Sequence, residues 1–319
     1  MLHFFYIMQE NQITSIENKL KYTYLSQNSC KERLDFFLTR IIGYKRSSIQ
    51  NLIRRKFILV NKEIVKCGYL LKLNDEIEVH FPPPIEQRLV AKDIPLEIIF
   101  QDQDLAVVNK PIGLVVHPAL GHTDNTMVNA LLFHFKELSD VNQDCRLGIV
   151  HRLDKDTEGL LVVAKNNQAH LSLTEQFKDR SVTKKYYALV HGIVKDDFVE
   201  INAPIGRDPK NRKKFRVITD NQNLKVRHAL TYVKVIERFP KKTLLEVEIK
   251  TGRTHQIRVH LFYLGFPIVG DKDYTFKSHH EKAEGQLLQA YYLGFDHPET
   301  KKRLEFKLPL SERIKNHLM

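Results

Sequence analysis

Three consecutive prolines, Pro82, Pro83 and Pro84, constrain this chain more than any other local feature. Each lacks a backbone N–H and has a fixed φ, so the run can continue neither a helix nor a sheet ladder. It divides the 319 residues into a small first domain, read over 31–84, and a larger second one, read over 90–319. Residues 1–30 are polar and unpatterned after the first eight and are read as an N-terminal extension, open to disorder. The apolar start lacks a basic leader, so no export is expected.

The first domain reads as two short helices followed by strands. Leu34, Phe37, Leu38 and Ile41 recur at helical spacing up to a stop at Gly43, and Ile49, Leu52 and Ile53 mark a second periodic segment. ILVNKEIVK and DEIEVHF then alternate as strands do. Lys31, Arg33, Arg40, Lys45, Arg46, Arg54, Arg55 and Lys56 face only Glu32 and Asp35 in the same span. With one apolar face buried, these charges crowd onto the remaining surface, which suits backbone phosphates. The whole chain carries +12 at neutral pH with a pI near 9.4, so its expected partner is a polyanion.

This stretch resembles an S4 RNA-binding domain, in which a helix pair opening RLDxFL precedes a hairpin reading VNG or VNK. The matching residues are Arg33, Leu34, Asp35, Phe36 and Leu38, then Val60, Asn61 and Lys62.

In the second domain DLAVVNK, GLLVVAK, KKYYALVHGIV and TLLEVEIK read as strands, and NTMVNALLFHF, NQAHLSLTEQF and THQIRVHLFYL as helices. Ile257, Leu261 and Leu264 should face the core. No regular βαβ rhythm appears, so the fold class is α+β, with a mixed, mostly antiparallel sheet flanked by helices. No stretch approaches the ~18 apolar residues of a membrane span. Cys30, Cys67 and Cys145 are odd in number, far apart and form no CxxC, which fits a reducing cytoplasm rather than a disulfide scaffold or cysteine zinc site.

Two clusters carry chemistry. In GIVHRLDKDTEGLLVVAK, His151, Arg152 and Asp154 lie between apolar segments, and a carboxylate beside cations stays ionised as a nucleophile or base. TGRTHQIRVHL carries Arg253, His255, Gln256, Arg258 and His260. If it begins a helix, Thr254 and Arg258 share one face, and Arg258 is placed to anchor Asp154 through a bidentate pair. The loop RDPKNRKKFR places Arg207, Lys210, Arg212, Lys213, Lys214 and Arg216 against Asp208 alone, a second candidate for phosphate contact.

NKPIGLVVHP, HRLDKDTEGLLVVAK, VTKKYYALVHG and GRTHQIRVHLFYLGFPIVGD, in that order after an S4-like domain, resemble the RluA-type family of ribosomal RNA pseudouridine synthases. The full layout, with DNTMVNALLFH, is similar to the branch that modifies a stem-loop of the large-subunit RNA. The resemblance implies that Asp154 is the catalytic aspartate, that Tyr186 stacks on the target base and helps move a proton, and that Arg258 pairs with the aspartate. It also implies that Leu288 packs on the flipped nucleoside and that Arg152 approaches the RNA. His151, Lys184, Arg253 and Gln256, in the same motifs, are assigned to substrate binding. Glu158 replaces the family's usual serine or threonine and Gln289 its usual histidine; Glu158 is expected to turn away from the cleft.

The implied reaction breaks the N1 glycosidic bond of uridine, turns the uracil and joins C5 to the same sugar. No atom enters or leaves, so no cofactor or metal is called for, and large-subunit ribosomal RNA is the expected partner of a cytoplasmic monomer. Asp154 either attacks C1′ or removes the C2′ proton. The flipped base would be held by stacking and phosphate contacts.

Other readings are weaker. A kinase is ruled out by motif order and by Leu153 interrupting HRD. A glycosidase pair of Asp154 and Asp156 fails if Asp156 is a turn residue, and His117, His122, His134 and His151 show no metal-ligand spacing. The remaining alternative is a non-catalytic RNA-binding protein on the same scaffold.

Overall fold

A computed structural model describes residues 13–16, 19–24, 32–44, 46–81, 89–118, 124–141, 147–219, 225–279, 281 and 283–319. The prolines at 82–84 and the expected contacts of Lys45 lie outside the described residues. The chain separates into two units, Met1–Gln87 and Arg88–Met319.

The small unit contains β1 (Ile13–Ile16), β2 (Lys19–Thr23), α1 (Leu34–Ile42), α2 (Arg46–Arg54), β3 (Ile58–Val60), β4 (Glu63–Ile64) and β5 (Glu76–His80). Its sheet has the order β1-β2-β5-β3-β4, every pair antiparallel. α1 stops at Gly43, whose φ of 77° is open to glycine without a Cβ clash. Leu34, Phe37, Leu38, Ile49 and Ile53 pack on Ile58, Val60, Ile77 and Val79.

The sheet of the small unit also takes in residues before position 31. Residues 19–24 alternate lysine or threonine with Leu20, Tyr22 and Tyr24, a strand signal with period two. β2 pairs with β5, and Tyr22 and Tyr24 pack edge-on against Phe37 at 6.5 and 5.2 Å between ring centres.

The large unit contains β6 (Glu97–Gln101), β7 (Leu105–Lys110), α3 (Met127–His134), β8 (Glu158–Ala164), α4 (Asn167–Asp179), β9 (Thr183–His191), β10 (Phe198–Asn202), β11 (Ile205–Arg207), β12 (Phe215–Val217), β13 (Val226–Arg227), β14 (Leu230–Arg238), β15 (Lys242–Ile249), α5 (Gln256–Tyr263), β16 (Leu288–Asp296), β17 (Arg303–Lys307) and α6 (Glu312–Lys315). The main sheet runs β10-β14-β15-β9-β16-β8-β7-β6, with β17 beside β16. Among the described strands only β16 and β8 pair in parallel, so the sheet is mixed and mostly antiparallel as expected. A small sheet, β12-β11-β13, stands apart.

The two faces of β8 explain its unbroken apolar run. Leu161 and Val163 pack toward α3 and α5, while Leu160, Val162 and Ala164 pack toward α4. β9 and β16 send Tyr186, Ala188, Leu288 and Ala290 to the α5 side. This alternation is what carries Tyr186 and Leu288 to the face where α5 lies. The parallel pairing also demands Gly159, because a Cβ there would sit 2.2 Å from the Ala290 carbonyl oxygen.

Candidate active site

Asp154 lies on the extended segment that leads through a turn into β8, and its carboxylate is partly exposed. The segment is pinned from behind by Lys110. Its ammonium is fully buried and donates to the carbonyls of Pro111, Leu114 and Lys155 at 2.8, 2.9 and 2.9 Å. Burial pushes Lys110 down to about 8 against the opposing pull of Asp156, Asp154 and Glu158. Asp156 belongs to the turn and packs against Gly285, so it does not form a catalytic pair with Asp154.

α5 begins at Gln256, two residues later than the expectation that placed Thr254 within it, and His255 before it has φ 57°. Arg258, on the first turn, is buried with 6% exposure. Its Nη1 donates to Asp154 Oδ2 at 3.2 Å. The expected bidentate pair with Asp154 is corrected by the structure: Nε and Nη2 donate to Asp271 at 2.7 and 2.8 Å, and Nη2 also reaches Asp273 at 2.9 Å. A guanidinium has five N–H donors, and burying it requires more acceptors than one carboxylate offers. Burial disfavours its charge, but hydrogen bonds and charge from Asp271, then Asp154 and Asp273, outweigh this and raise its pKa. The Tyr274 ring lies under the guanidinium at 5.0 Å.

Asp154, Tyr186, Arg258, Arg152, Leu288, Arg253 and Gln256 all line one cleft of about 120 Å³. Arg152 is exposed at its rim, while Tyr186 and Leu288 are buried in its wall. Burial, and then the charge of Asp154, raise the Tyr186 pKa, so its hydroxyl keeps its proton and is available as a donor. His151 and Lys184 lie elsewhere, in an adjoining chamber. His151 Nε2 accepts from the Val162 N–H at 3.0 Å, and its ring stacks on Phe177. Burial, with Lys184 beside it, lowers His151 to about 3, which keeps it neutral.

Gln256 is a second correction. Its carbonyl accepts from Thr251 Oγ1 and the Arg253 N–H, and its amide donates to the Leu230 carbonyl and Thr231 Oγ1. All four hydrogen-bonding positions of the amide are occupied within the protein, so it holds the turn before α5 and has none left for a substrate.

The two departures from the family pattern meet. Glu158 and Gln289 are register partners across β8 and β16. Glu158 turns outward as expected, accepting from Ser311 Oγ at 2.8 Å and Arg313 Nε at 3.1 Å. Gln289 donates to the Pro309 carbonyl and accepts from the Ser311 N–H. Together they fasten the C-terminal segment to the sheet.

Asp271, Asp273 and Lys110 are site residues that sequence reasoning missed. Both Asp271 and Lys110 occur in the motifs that carry the resemblance, and the five donors of Arg258, more than Asp154 alone can accept, were the signal for additional carboxylates. Among the described residues Asp102, Asp104 and His297 lie close enough to suggest a metal. His297 Nδ1 accepts from the Glu299 and Thr300 amides, however, which leaves Nε2–H to donate to Asp102 at 2.9 Å. The cluster is therefore satisfied as a hydrogen-bonded clamp.

The basic surfaces divide. In the small unit Asp35, with no exposed area, accepts from Arg33, Arg46 and Gln50. Burial works against its ionisation, but these hydrogen bonds outweigh that and hold it at about 2. Arg33 and Arg46 are therefore partly committed to packing the helix pair, and Arg40 pairs with Glu32. Arg54, Arg55 and Lys56 stand exposed. In the large unit Lys210, Arg212 and Lys213 are exposed in the β11–β12 connection. Arg207 turns back to the Arg212 carbonyl and Lys214 to that of Asp273. Tyr274 Oη accepts from the Phe215 N–H at 2.8 Å and meets His255 Nδ1 at 2.9 Å, which ties this connection to the start of α5.

Residues 104–262 match the model of RNA pseudouridylate synthase and residues 32–77 that of the S4 domain. An uncharacterised RNA pseudouridine synthase, YlyB of Bacillus subtilis, is 45% identical over 90% of this chain and 93% of its own length. The ribosomal large subunit pseudouridine synthase D of Zymomonas mobilis is 42% identical over 86% of this chain and 89% of its own. Among solved structures, human RNA pseudouridylate synthase domain containing 1 superposes with a TM-score of 0.57 at 30% identity, covering 69% of this chain and 85% of its own. With an S4 domain ahead of a synthase domain, this chain belongs to the RNA pseudouridine synthase family.

Proposed function

We propose that this enzyme converts specific uridines of large-subunit ribosomal RNA, in a stem-loop, to pseudouridine, with Asp154 acting on the sugar. The observation that carries this reading is the contact of the Asp154 carboxylate with buried Arg258 at the mouth of the cleft that Tyr186 and Leu288 wall. The cleft's room of about 120 Å³ suits one flipped base rather than a paired duplex. Arg258 fixes the aspartate's position, and Tyr186 supplies an aromatic face and a protonated hydroxyl. Leu288 closes the apolar side. The carboxylate then attacks C1′ or takes the C2′ proton. The reaction exchanges no atoms with solvent and calls for no cofactor, and the reading is of a monomer working in the cytoplasm, where ribosomal RNA is made and assembled.

Asp154→Asn tests the assignment. Pseudouridine formation in an unmodified large-subunit RNA transcript should be lost while affinity for the RNA remains. A wild type that binds but forms no pseudouridine would favour a non-catalytic RNA-binding protein, and an Asn variant that retains activity would remove Asp154 from the mechanism.

A further inference from the structure

Next to the catalytic cleft lies a second chamber of about 440 Å³. Arg152, Lys178, Arg180, Lys184, Lys250 and Arg253 line it, and among the described residues no carboxylate does. Lys250 has a partner outside, Glu248. Lys184 is half-buried, and the charged neighbours that act on it, Arg180 and Lys250, are both positive. Its ammonium lies 5.5 Å from the Phe177 ring. Burial and these cations push Lys184 down to about 8. Arg253 is likewise set between Arg227 and Arg180, and its side chain donates to the His228 carbonyl.

A concentration of like charge in a recess costs stability unless an anion enters it. The chamber shares Arg152, Tyr186 and Arg253 with the catalytic cleft. An RNA strand with one nucleoside in the cleft must continue on each side as a phosphodiester, and this is the anion the shared wall can receive.

We propose that this chamber is the subsite for the backbone phosphate adjoining the target uridine, with Lys184 as its inner cation and Arg253 as the wall common to phosphate and base. The proposal rests on the reading of the cleft as a uridine site. Its chemistry is single-strand phosphate recognition by a cation fork and an ammonium, without base readout.

The test uses the full chain and an unmodified transcript of large-subunit ribosomal RNA, with Kd measured across a salt series. Two variants are compared, Lys184→Met and Arg180→Asn. The first keeps the stem of the side chain. The second keeps a residue that tolerates the φ of 64° found at position 180. Each should bind about tenfold more weakly at low salt. Each should also reduce the slope of log K against log salt by about 0.7 for every phosphate that is no longer neutralised. In product assays KM should rise with little change in kcat. Lys307→Met, which removes an exposed charge on β17, should match the wild type. Both chamber variants binding with wild-type Kd and slope, at wild-type melting temperature, would overturn the proposal, as would a wild type that does not bind this RNA. A wild type that binds without forming pseudouridine sinks the uridine reading alone, since a flatter slope in the variants still assigns the chamber to phosphate.

Discussion

Arg258 gives Asp271 its two-pronged contact, at 2.7 and 2.8 Å, and leaves Asp154 a single one at 3.2 Å. Asp271, which also accepts from the Asp273 and Tyr274 amides, thereby sets the position of the arginine, and through it that of Asp154.

Asp271→Asn should therefore act on turnover rather than on binding. Displacing a positioned group by about an ångström costs on the order of 10²-fold, so kcat should fall by about that much with KM nearly unchanged. Stability should fall as well, by about 3–5 kcal/mol, because a buried guanidinium loses its main counter-charge. Single-turnover assays well below the melting temperature separate the two effects. A kcat loss no greater than the unfolded fraction would reduce Asp271 to a structural role.

Tyr186 offers a ring and a hydroxyl, and two variants divide them. Tyr186→Phe keeps stacking and should keep RNA affinity while losing about 10²–10⁴ in rate if the hydroxyl moves a proton. Tyr186→Leu should additionally weaken binding by about 1–3 kcal/mol, the contribution of one base stacked on an aromatic side chain. A Phe variant as fast as the wild type would confine Tyr186 to stacking.

The exposed cations between β11 and β12 should contribute to affinity without sequence preference. Replacing Lys210, Arg212 and Lys213 together by glutamate should weaken binding of the ribosomal RNA transcript and flatten its salt dependence, by about 0.7 in slope per phosphate. An unchanged slope would remove this segment from the interface.

Asp35 makes the helix pair of the small unit sensitive to acid. Its folded value of about 2 lies below the ordinary 3.8, so its stabilisation is complete above the unfolded pKa and is lost as pH falls from about 4 toward 2. The drop corresponds to at most about 2 kcal/mol, and the half-exposed arginine partners reduce that to about 1. Pepsin cleavage within α1 and α2 should rise in the wild type over this pH range. Asp35→Asn should be cut readily already near pH 4 and respond less to further acid. Identical wild-type and variant profiles would contradict this account.

Much of the architecture was legible because it is written locally. Leu34, Phe37 and Leu38 mark a helix face, Gly43 its stop, and the run from Gly159 to Ala164 a strand buried on both sides. The ordered motifs around Asp154, Tyr186 and Arg258 pointed to three side chains that share one cleft, 104 residues separating the acid from its arginine. β2 carries its own signal in the alternation of residues 19–24, but that signal is short and set inside a polar segment.

The partner chosen by each polar group was not legible. Arg258 and Gln256 stand two residues apart on one helix, yet one reaches Asp154 and the other is fully engaged in holding a turn. Likewise Lys184 and Tyr186 lie two apart on β9, yet Lys184 lines the basic chamber and not the cleft beside Asp154, whereas Tyr186 lines both. Periodicity says which face of an element a residue occupies, since that depends only on backbone geometry. Hydrogen bonds and ion pairs act over about 3–4 Å between segments distant in sequence, so they are decided only when the whole sheet has brought those segments together.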